Sequence, residues 1–447
     1  MTMKRIMNEL SDPMKQYRTG KDMPNTMKDF REASVPDRFL RTIAAWTCTA
    51  VMMLMFISAA YSQNGGTLSS RLGIGELNMQ TTSRQQGMGG VSIPLLSSYD
   101  INNNNPAAWT EISSVRLEGS LLLENLTTDL PGGTYTSRTG GIQGLQFALP
   151  FDKDLGLTFV TGFLPLSRSE FKVETRDAEA GEAYRLDYES QGGTSVFRIG
   201  FSYRPISSIH LGAAYNYNFG TLSQVWDITF DNGTYYGTKQ SRAASHNGST
   251  FSFGAIYSGV NNLTVGAMVT TGTEIRSSTS YDFSYSTNDS TVTGVAGTIT
   301  LPMVFGFGAS YLLNDHLLIA MDYSAQDWTN AKSYDQPQTE LSLSQKIGGG
   351  IEFAPSKETG ASFIERSDFR LGSFYRTSYI KLQEQSINEL AFTAGMGFPI
   401  GTHTRGDIAF EYGMRGKSSD MFGKESILRL SLSISASELW FTRRGDD

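Results

Sequence analysis

Four histidines, His210, His246, His316 and His403, and one cysteine, Cys48, are the side chains of this 447-residue chain best suited to nucleophilic, general-base or metal chemistry. They are far apart in sequence, and none belongs to a His-Glu-x-x-His helix, a Gly-x-Ser-x-Gly elbow or a phosphate-binding glycine loop. A catalytic histidine needs a group that orients it, and nothing near these four supplies one. No catalytic site, metal site or cofactor is expected. The other polar side chains that stand out, Arg198, Arg204, Asp322, Lys346, Glu352, Arg370, Asp407, Glu411 and Arg429, are scattered singly among Gly, Ser, Thr and Asn. Taken one at a time, each reads as the ordinary polar lining of a solvated interior.

A third group is contiguous. Ser83 to Trp109, SRQQGMGGVSIPLLSSYDINNNNPAAW, has Gly87, Gly89 and Gly90, an asparagine run and then Asn105-Pro106-Ala107. Asn-Pro interrupts helix and strand alike, because proline lacks the N–H and pushes the preceding residue out of the α region. Met88, Val91, Ile93, Leu95, Leu96, Ala107, Ala108 and Trp109 nevertheless give the stretch enough apolar surface to pack inside another element.

That element is a sheet. From Val115 to Phe441 apolar residues recur at every second position, the period of a strand with two unlike faces. Leu211, Ala213, Tyr215, Tyr217 and Phe219 alternate with Gly212, Ala214, Asn216, Asn218 and Gly220, and Leu428, Leu430, Leu432 and Ile434 with Arg429, Ser431, Ser433 and Ser435. The pattern places strands near 115–125, 142–151, 155–165, 194–204, 209–221, 249–258, 262–272, 297–312, 316–328, 340–354, 367–378, 388–399, 404–414 and 426–441. These are fourteen, an even number, each long enough to cross a bilayer at a tilt. Short turns such as 205–208, 259–261, 313–315 and 401–403 alternate with long polar stretches, 166–193, 222–248 and 273–296, which read as loops on the opposite rim. A soluble β-sandwich also alternates, but its outward face is the polar one. Here the apolar face is rich in Phe and Tyr. Tyr203, Tyr257, Tyr311, Trp328, Tyr375, Trp440 and Phe441 stand near strand ends, as interfacial girdles require. The expected fold is all-β, a fourteen-stranded antiparallel transmembrane β-barrel.

Composition agrees: 46 Gly, 20 Tyr and 26 Phe, net charge -7 and a mean hydropathy of -0.25 suit neither a helical membrane protein nor an ordinary soluble enzyme. The mild acidity argues against nucleic acid as a partner. Ile43 to Ala60, behind Arg38 and Arg41, reads as a signal peptide cut after Ser62, with a permanent anchor helix as the competing reading. Cys48 lies inside it, so the mature chain would have no thiol. The expected organisation is a polar extension at 1–42, which Met23 and Met27 as alternative starts would shorten, a signal region at 43–62, an N-terminal segment at 63–111, the barrel at 112–441 and a short tail at 442–447.

The segment 83–109, with Asp100 leading to Asn105-Pro106-Ala107, resembles the N-terminal hatch of the FadL/TodX long-chain fatty acid transporter family. A second match is Leu301-Pro302 with Gly306 or Gly308, Tyr311, Asp322 and Trp328, which resembles that family's Pro-Gly-Tyr…Trp hairpin. The end, LRLSLSISASELWFTRRGDD, is similar to the closing strand of Bacteroidetes outer-membrane proteins. The resemblance implies a barrel whose lumen is plugged by the hatch, in the bacterial outer membrane. It implies passive uptake of hydrophobic small molecules such as fatty acids, leaving sideways into outer-membrane lipid at a kinked third strand. Asp100, Asn105, Pro106, Ala107, Gly87, Gly89 and Gly90 would hold and gate the hatch, and Met88, Val91, Ile93, Leu95, Leu96 and Trp109 would contribute to an apolar ligand pocket. Gly162 and Pro165 would make the kink, unless Pro165 simply ends its strand. Such a barrel would be inserted by the outer-membrane barrel assembly machinery. The rival expectation is a PorV-like barrel that docks or shuttles components of secretion machinery and transports nothing. Oligomeric state is left open.

Overall fold

A computed structural model describes residues 74–438, save for 131–132, 180–181, 232–234, 286–287, 334–335, 338–340, 357–359, 383–384, 401–403 and 417–422. The extension 1–42, the signal region 43–62 with Cys48, residues 63–73, His403, the Trp440-Phe441 pair and the tail 442–447 lie outside the described residues.

The chain begins with a two-residue strand β1 (Glu76–Leu77), a one-turn helix α1 (Ser83–Gly87) and a 3₁₀ helix (Pro106–Glu111). The wall follows as β2 (Val115–Leu130), β3 (Gly133–Asp152), β4 (Leu157–Glu179), β5 (Glu182–Ile206), β6 (Ile209–Phe230), β7 (Thr238–Val260), β8 (Leu263–Thr270), β9 (Thr273–Tyr285), β10 (Asp289–Leu301), β11 (Val304–Asn314) and β12 (Leu317–Asp327). Two short strands, β13 (Lys332–Ser333) and β14 (Gln336–Pro337), precede β15 (Leu343–Phe353), β16 (Asp368–Leu382), β17 (Gln385–Pro399), β18 (Thr404–Gly416) and β19 (Lys424–Glu438). β8 and β9 are two parts of one crossing, and β10 and β11 of the next: β8 pairs with β7 and β11, β9 with β7 and β10. Counted so, there are fourteen antiparallel crossings, and β19 pairs with β2 from Lys424↔Asp129 to Glu438↔Val115 to close the barrel.

The two faces are as alternation requires. Phe197, Ile199, Phe201 and Tyr203 on β5, Phe305 and Phe307 on β11 and Phe410 and Tyr412 on β18 point outward and are exposed, while Arg198, Asp322, Glu352, Arg370, Asp407, Glu411 and Arg429 are buried inside. A closed wall with that much outward Phe, Leu and Tyr has lipid as its solvent. Among the described residues no helix is long and apolar enough to cross a membrane.

Two expectations fail. Trp328, expected in an interfacial girdle, is buried in the interior with Ile74 and Tyr379, because its side chain faces the lumen. The stretches 166–193, 222–248 and 273–296 are mostly not loops: β4 runs on to Glu179 and β5 starts at Glu182, β6 runs to Phe230 and β7 starts at Thr238, and β9 runs to Tyr285 and β10 starts at Asp289. β5 has 25 residues, about 80 Å of strand, where a tilted crossing needs about 10. These upper parts carry Ser, Thr, Lys and Asp on the outward face because it no longer meets lipid. The ladder persists there because each strand's backbone groups are satisfied by the next.

Candidate functional site

The interior of the barrel is built from residues 74–112, and two parts of this segment differ. The lower part, 83–112, is enclosed toward the rim of short turns. Thr82 caps α1, its side chain accepting from the Gln85 amide while Gln85 returns a bond to the Thr82 amide. Gly89 follows with φ +69, where a side chain would be strained, and its amide donates to Thr393 on β17. The asparagine run is an ordered turn. Asn102 accepts from the amides of Asn104 and Asn105 and donates to the Ser92 carbonyl. Asn105 caps the 3₁₀ helix through the Ala107 amide and donates to the Ile93 carbonyl at 2.8 Å. Pro106 occupies the first helical position, where a missing N–H costs nothing.

Glycines in the wall receive this segment. The space a Cβ would take at Gly212 and Gly254 is filled by Asn105, Pro106 and Ala107, at Gly266 and Gly306 by Ile93, at Gly350 by Met88 and at Gly372 by Met88 and Gly89. Buried charges add to the fit. Arg84 reaches Glu352 on β15 at 2.8 Å and Asp100 at 3.0 Å; Glu352 also holds Arg370, which holds Asp407 at 2.5 Å. Burial alone would depress the Arg84 guanidinium, but the facing Glu352 and Asp100 carboxylates outweigh it and hold it well above its usual value. Asp322 accepts from the Ser92 and Ile93 amides, Gln86 donates to Glu411, and Asn103 accepts from Arg198.

The sequence-predicted residues therefore meet, though not around an open pocket. Met88, Val91 and Leu95 pack with Ala320, Leu96 packs with Ala107, Ala108 and Ile256, and Trp109 lies among Ile101, Ile112, Ala148, Val160 and Ala214 with its Nε1 donating to the Asn102 carbonyl. Of the six residues expected to contribute to a ligand pocket, Ile93 borders a described cavity. Asp100 binds Arg84 of the same segment, and it is Arg84 that reaches the wall.

The upper part, residues 74–79, is a strap that crosses the lumen higher up. Here the wall is interrupted. β3 and β4 pair from Asp152↔Leu157 up to Leu145↔Phe163 and no further, whereas β2 and β3 stay paired to Leu130↔Gly133 and β4 and β5 to Glu179↔Glu182. Gly162 is one rung below the end of the β3–β4 ladder. Pro165 lies just above it, at a register shift against β5, having no N–H to offer. Beyond the break the free edge of β4 takes the strap instead, with Glu76↔Arg168 and Leu77↔Ser167 as partners. The Ser167 hydroxyl donates to the Ile74 carbonyl and Tyr379 to that of Gly75.

Two cavities flank the strap. One, of about 180 Å³, is bordered by Leu166, Tyr379, Ile380, Ile387, Arg376 and Arg415; the other, of about 170 Å³, faces the gap between β3 and β4 at Gly140, Ile142, Gln143, Pro165 and Arg168. Glu76, Leu77, Asn78 and Met79 border both. Glu76 accepts from Arg415 at 2.7 Å, with Arg376 and Arg429 at 3.6 and 3.8 Å. Burial would raise its carboxyl, but Arg415, Arg429 and Arg376 prevail over it and over the nearby Glu389, and hold it down at about 2. Sequence reasoning did not single out the strap, because two residues of strand have no period to detect.

The three described histidines lie apart from one another. His210 bonds Thr110 and Ser258 at the lower rim, His246 bonds Thr194 and His316 the Ala354 carbonyl. Among the described residues no group of three His, Cys, Asp or Glu side chains could hold a metal.

The family model for BamG matches residues 45–445. No curated protein sequence matches the chain. Solved structures with this architecture include the P. putida toluene transporter TodX, at 14% identity and a TM-score of 0.56 over 81% of this chain and 100% of that one. A Pseudomonas aeruginosa FadL homologue follows at 12% identity and 0.54 over 80% and 98%, and the Ralstonia pickettii toluene transporter TbuX at 16% and 0.50 over 80% and 99%. The chain belongs to the BamG family, and its closed fourteen-stranded wall has the fold of the TodX, TbuX and FadL-homologue barrels.

Proposed function

We propose that the chain is an outer-membrane conduit for hydrophobic small molecules, closed at rest by the strap 74–79 and emptying sideways into the bilayer between β3 and β4. The observation that carries this reading is the end of the β3–β4 ladder at Phe163, with the strap laid on the exposed β4 edge and a cavity on each side of it. An apolar solute gains roughly 25 cal/mol for each Å² it removes from water, so a cleft opening toward lipid needs no energy source to pass it on. The structures that share the fold include toluene transporters and a FadL homologue, which supports an apolar cargo. In this reading Gly162 and Pro165 define the exit, and the gate is the strap rather than Gly87, Gly89, Gly90, Asp100 and Asn105-Pro106-Ala107, which hold the lower segment still. Met88, Val91, Ile93, Leu95, Leu96 and Trp109 form the floor of the path.

The test locks the gate. Leu77→Cys with Ser167→Cys places two thiols on directly opposed residues of an antiparallel pair, within disulfide reach. Uptake of a fluorescent alkyl probe into proteoliposomes should stop when this pair is oxidised and return on reduction. Uptake unaffected by the bond would sink the proposal.

A second reading, a docking barrel for secretion machinery, is favoured by the polar extension of β4 to β7 beyond the lipid-facing band. A stoichiometric protein partner retained through purification, with no uptake by the unlocked barrel, would favour it.

A further inference from the structure

Above the lipid-facing band, β4, β5, β6, β7 and β9 continue as one sheet with two unlike faces. β5 and β6 pair without a shift from Tyr203↔Leu211 to Tyr184↔Phe230, so the face that carries Arg198 inside the barrel carries Ser190 and Tyr188 higher up. Registers across the strands set the inner residues in levels about 7 Å apart, two residues of strand each. The lowest level holds Thr194, His246 and Ser277, and the next holds Thr279. Above them come Gln224, Arg242 and Tyr281, then Tyr188, Trp226, Gln240 and Phe283. The outward face of the same stretch carries Lys172, Asp227, Lys239 and Asp282 instead.

The upper levels are a row of flat rings with amides set among them. Ring centroids are 5.6 Å apart for Phe171 and Tyr188 and 5.2 Å for Tyr188 and Trp226, and the Arg242 guanidinium lies 6.0 Å from the Tyr281 ring. Gln224 donates to the Tyr188 hydroxyl at 3.1 Å and accepts from Arg242 at 3.3 Å. Trp226, Gln240, Tyr281 and Phe283 are half-buried, which leaves part of each open to a ligand. The lower levels hold polar atoms in want of partners. His246 bonds Thr194 through Nε2 at 2.8 Å, but its Nδ1 has no partner, and neither has the Ser277 or the Thr279 hydroxyl. These three residues are 3%, 6% and 1% exposed. Unpaired polar atoms so deeply buried are costly, and a hydrocarbon cargo would leave them unpaired.

We infer that the inner face of the upper wall is a binding site for a neutral oligosaccharide. A sugar ring has an apolar face of C–H bonds, which Trp226, Tyr281 and Phe283 can stack, and a rim of hydroxyls that both donate and accept. Those hydroxyls suit the amides of Gln224 and Gln240 and supply what His246, Ser277 and Thr279 lack. From the His246 level to the Trp226 level is about 20 Å, so the site takes a chain of rings rather than one. Among the described residues Arg242 is the one charged side chain on these levels, and it is engaged with Gln224 and Tyr281, so the ligand needs no charge. This site lies apart from the exit between β3 and β4 and does not rest on the uptake reading.

Its test screens the purified full chain on a printed array of neutral and acidic oligosaccharides, in an amine-oxide detergent because a maltoside head would compete. At least one neutral glycan should be retained, and calorimetry then gives its affinity. Trp226→Ala should weaken that binding about tenfold and Trp226→Phe, which keeps a ring, under about threefold. Ser277→Ala, which removes one oxygen, should weaken it about fivefold. Lys172→Ala, on the outward face, should leave it unchanged, with heat-modifiable gel mobility confirming a folded barrel in each variant. An array that retains no neutral glycan, or acidic glycans only, overturns the inference, as does binding that Trp226→Ala or Ser277→Ala leaves unchanged.

Discussion

The lower segment and the strap belong to one stretch of chain inside one barrel, yet they are held by different physics. The lower segment lies with its backbone against wall glycines and with Arg84, Asp100, Glu352 and Arg370 closed away from water. The strap makes a two-residue ladder on a strand edge and has a cavity on either side. Local opening costs roughly what must be broken together. For the lower segment that is a packed interface and a buried ionic network; for the strap it is a few hydrogen bonds, one carboxylate and the seat of Ile74. A barrel with both has a fixed floor and a cheap door, and the door is where the β3–β4 pairing ends.

The largest effect should come from spoiling the floor. A Cβ at Gly372 would fall on the Gly89 amide and within 2.9 Å of the Gly349 carbonyl oxygen, backbone that cannot move aside. Gly372→Val should cost more than the ~1–3 kcal/mol of ordinary overpacking, seen as loss of the heat-modifiable barrel from membranes. Lipid-facing Leu371→Val, one residue away, should leave the barrel intact. If both variants assemble equally well, the close backbone contact is not what seats the segment.

Next in size is Glu352→Ala, which leaves Arg84 and Arg370 facing each other without their shared carboxylate. Removing one partner of a buried ionic network costs about 3–5 kcal/mol, measurable as a lower denaturant midpoint of the refolded barrel. Glu76→Gln should lower that midpoint by less than Glu352→Ala does, because Arg376, Arg415 and Arg429 keep Glu124, Glu389, Glu411 and Glu425 as partners. A comparable loss in both would erase the distinction between floor and door.

The division also governs what could be read from sequence. The fourteen crossings were legible because lipid outside and a polar lumen inside impose a period of two on every strand, and Asn105-Pro106-Ala107 was legible because proline and asparagine have few structural uses. The upper halves of β4 to β7, β9 and β10 were not, since outside the bilayer the outward face is polar and the lipid-facing period vanishes. Gly212 was visible in an alternating series, but the purpose it shares with Gly254, Gly350 and Gly372, to admit the backbone of residues 88–107, depends on pairs of residues far apart in sequence. The same holds for the arginines around Glu76, which come from β16, β18 and β19 and meet only when the barrel closes. The second resemblance gains a reason too: Gly306 and Gly308 make room for Ile93 and Pro94, and Asp322 receives the Ser92 and Ile93 amides, so that hairpin is the seat of the lower segment.

The smallest effect is the one that separates door from floor most cleanly. Glu76 titrates at about 2 in the closed strap against about 4.5 when free, so the closed state gains stability above about pH 4.5 and loses it as pH falls from there toward 2. The groups that set this are Arg376, Arg415 and Arg429 with Glu389 opposing, all on the wall. Spin labels placed by Asn78→Cys and by Phe163→Cys, on the strap and on lipid-facing β4, should report a short distance at pH 7. A second, longer distance should grow in across pH 4.5 to 2. Adding Glu76→Gln should remove the pH step and leave a mixture of both distances throughout. If the step persists without Glu76, the strap is released by titration of the wall instead, and the door is not held by its own carboxylate.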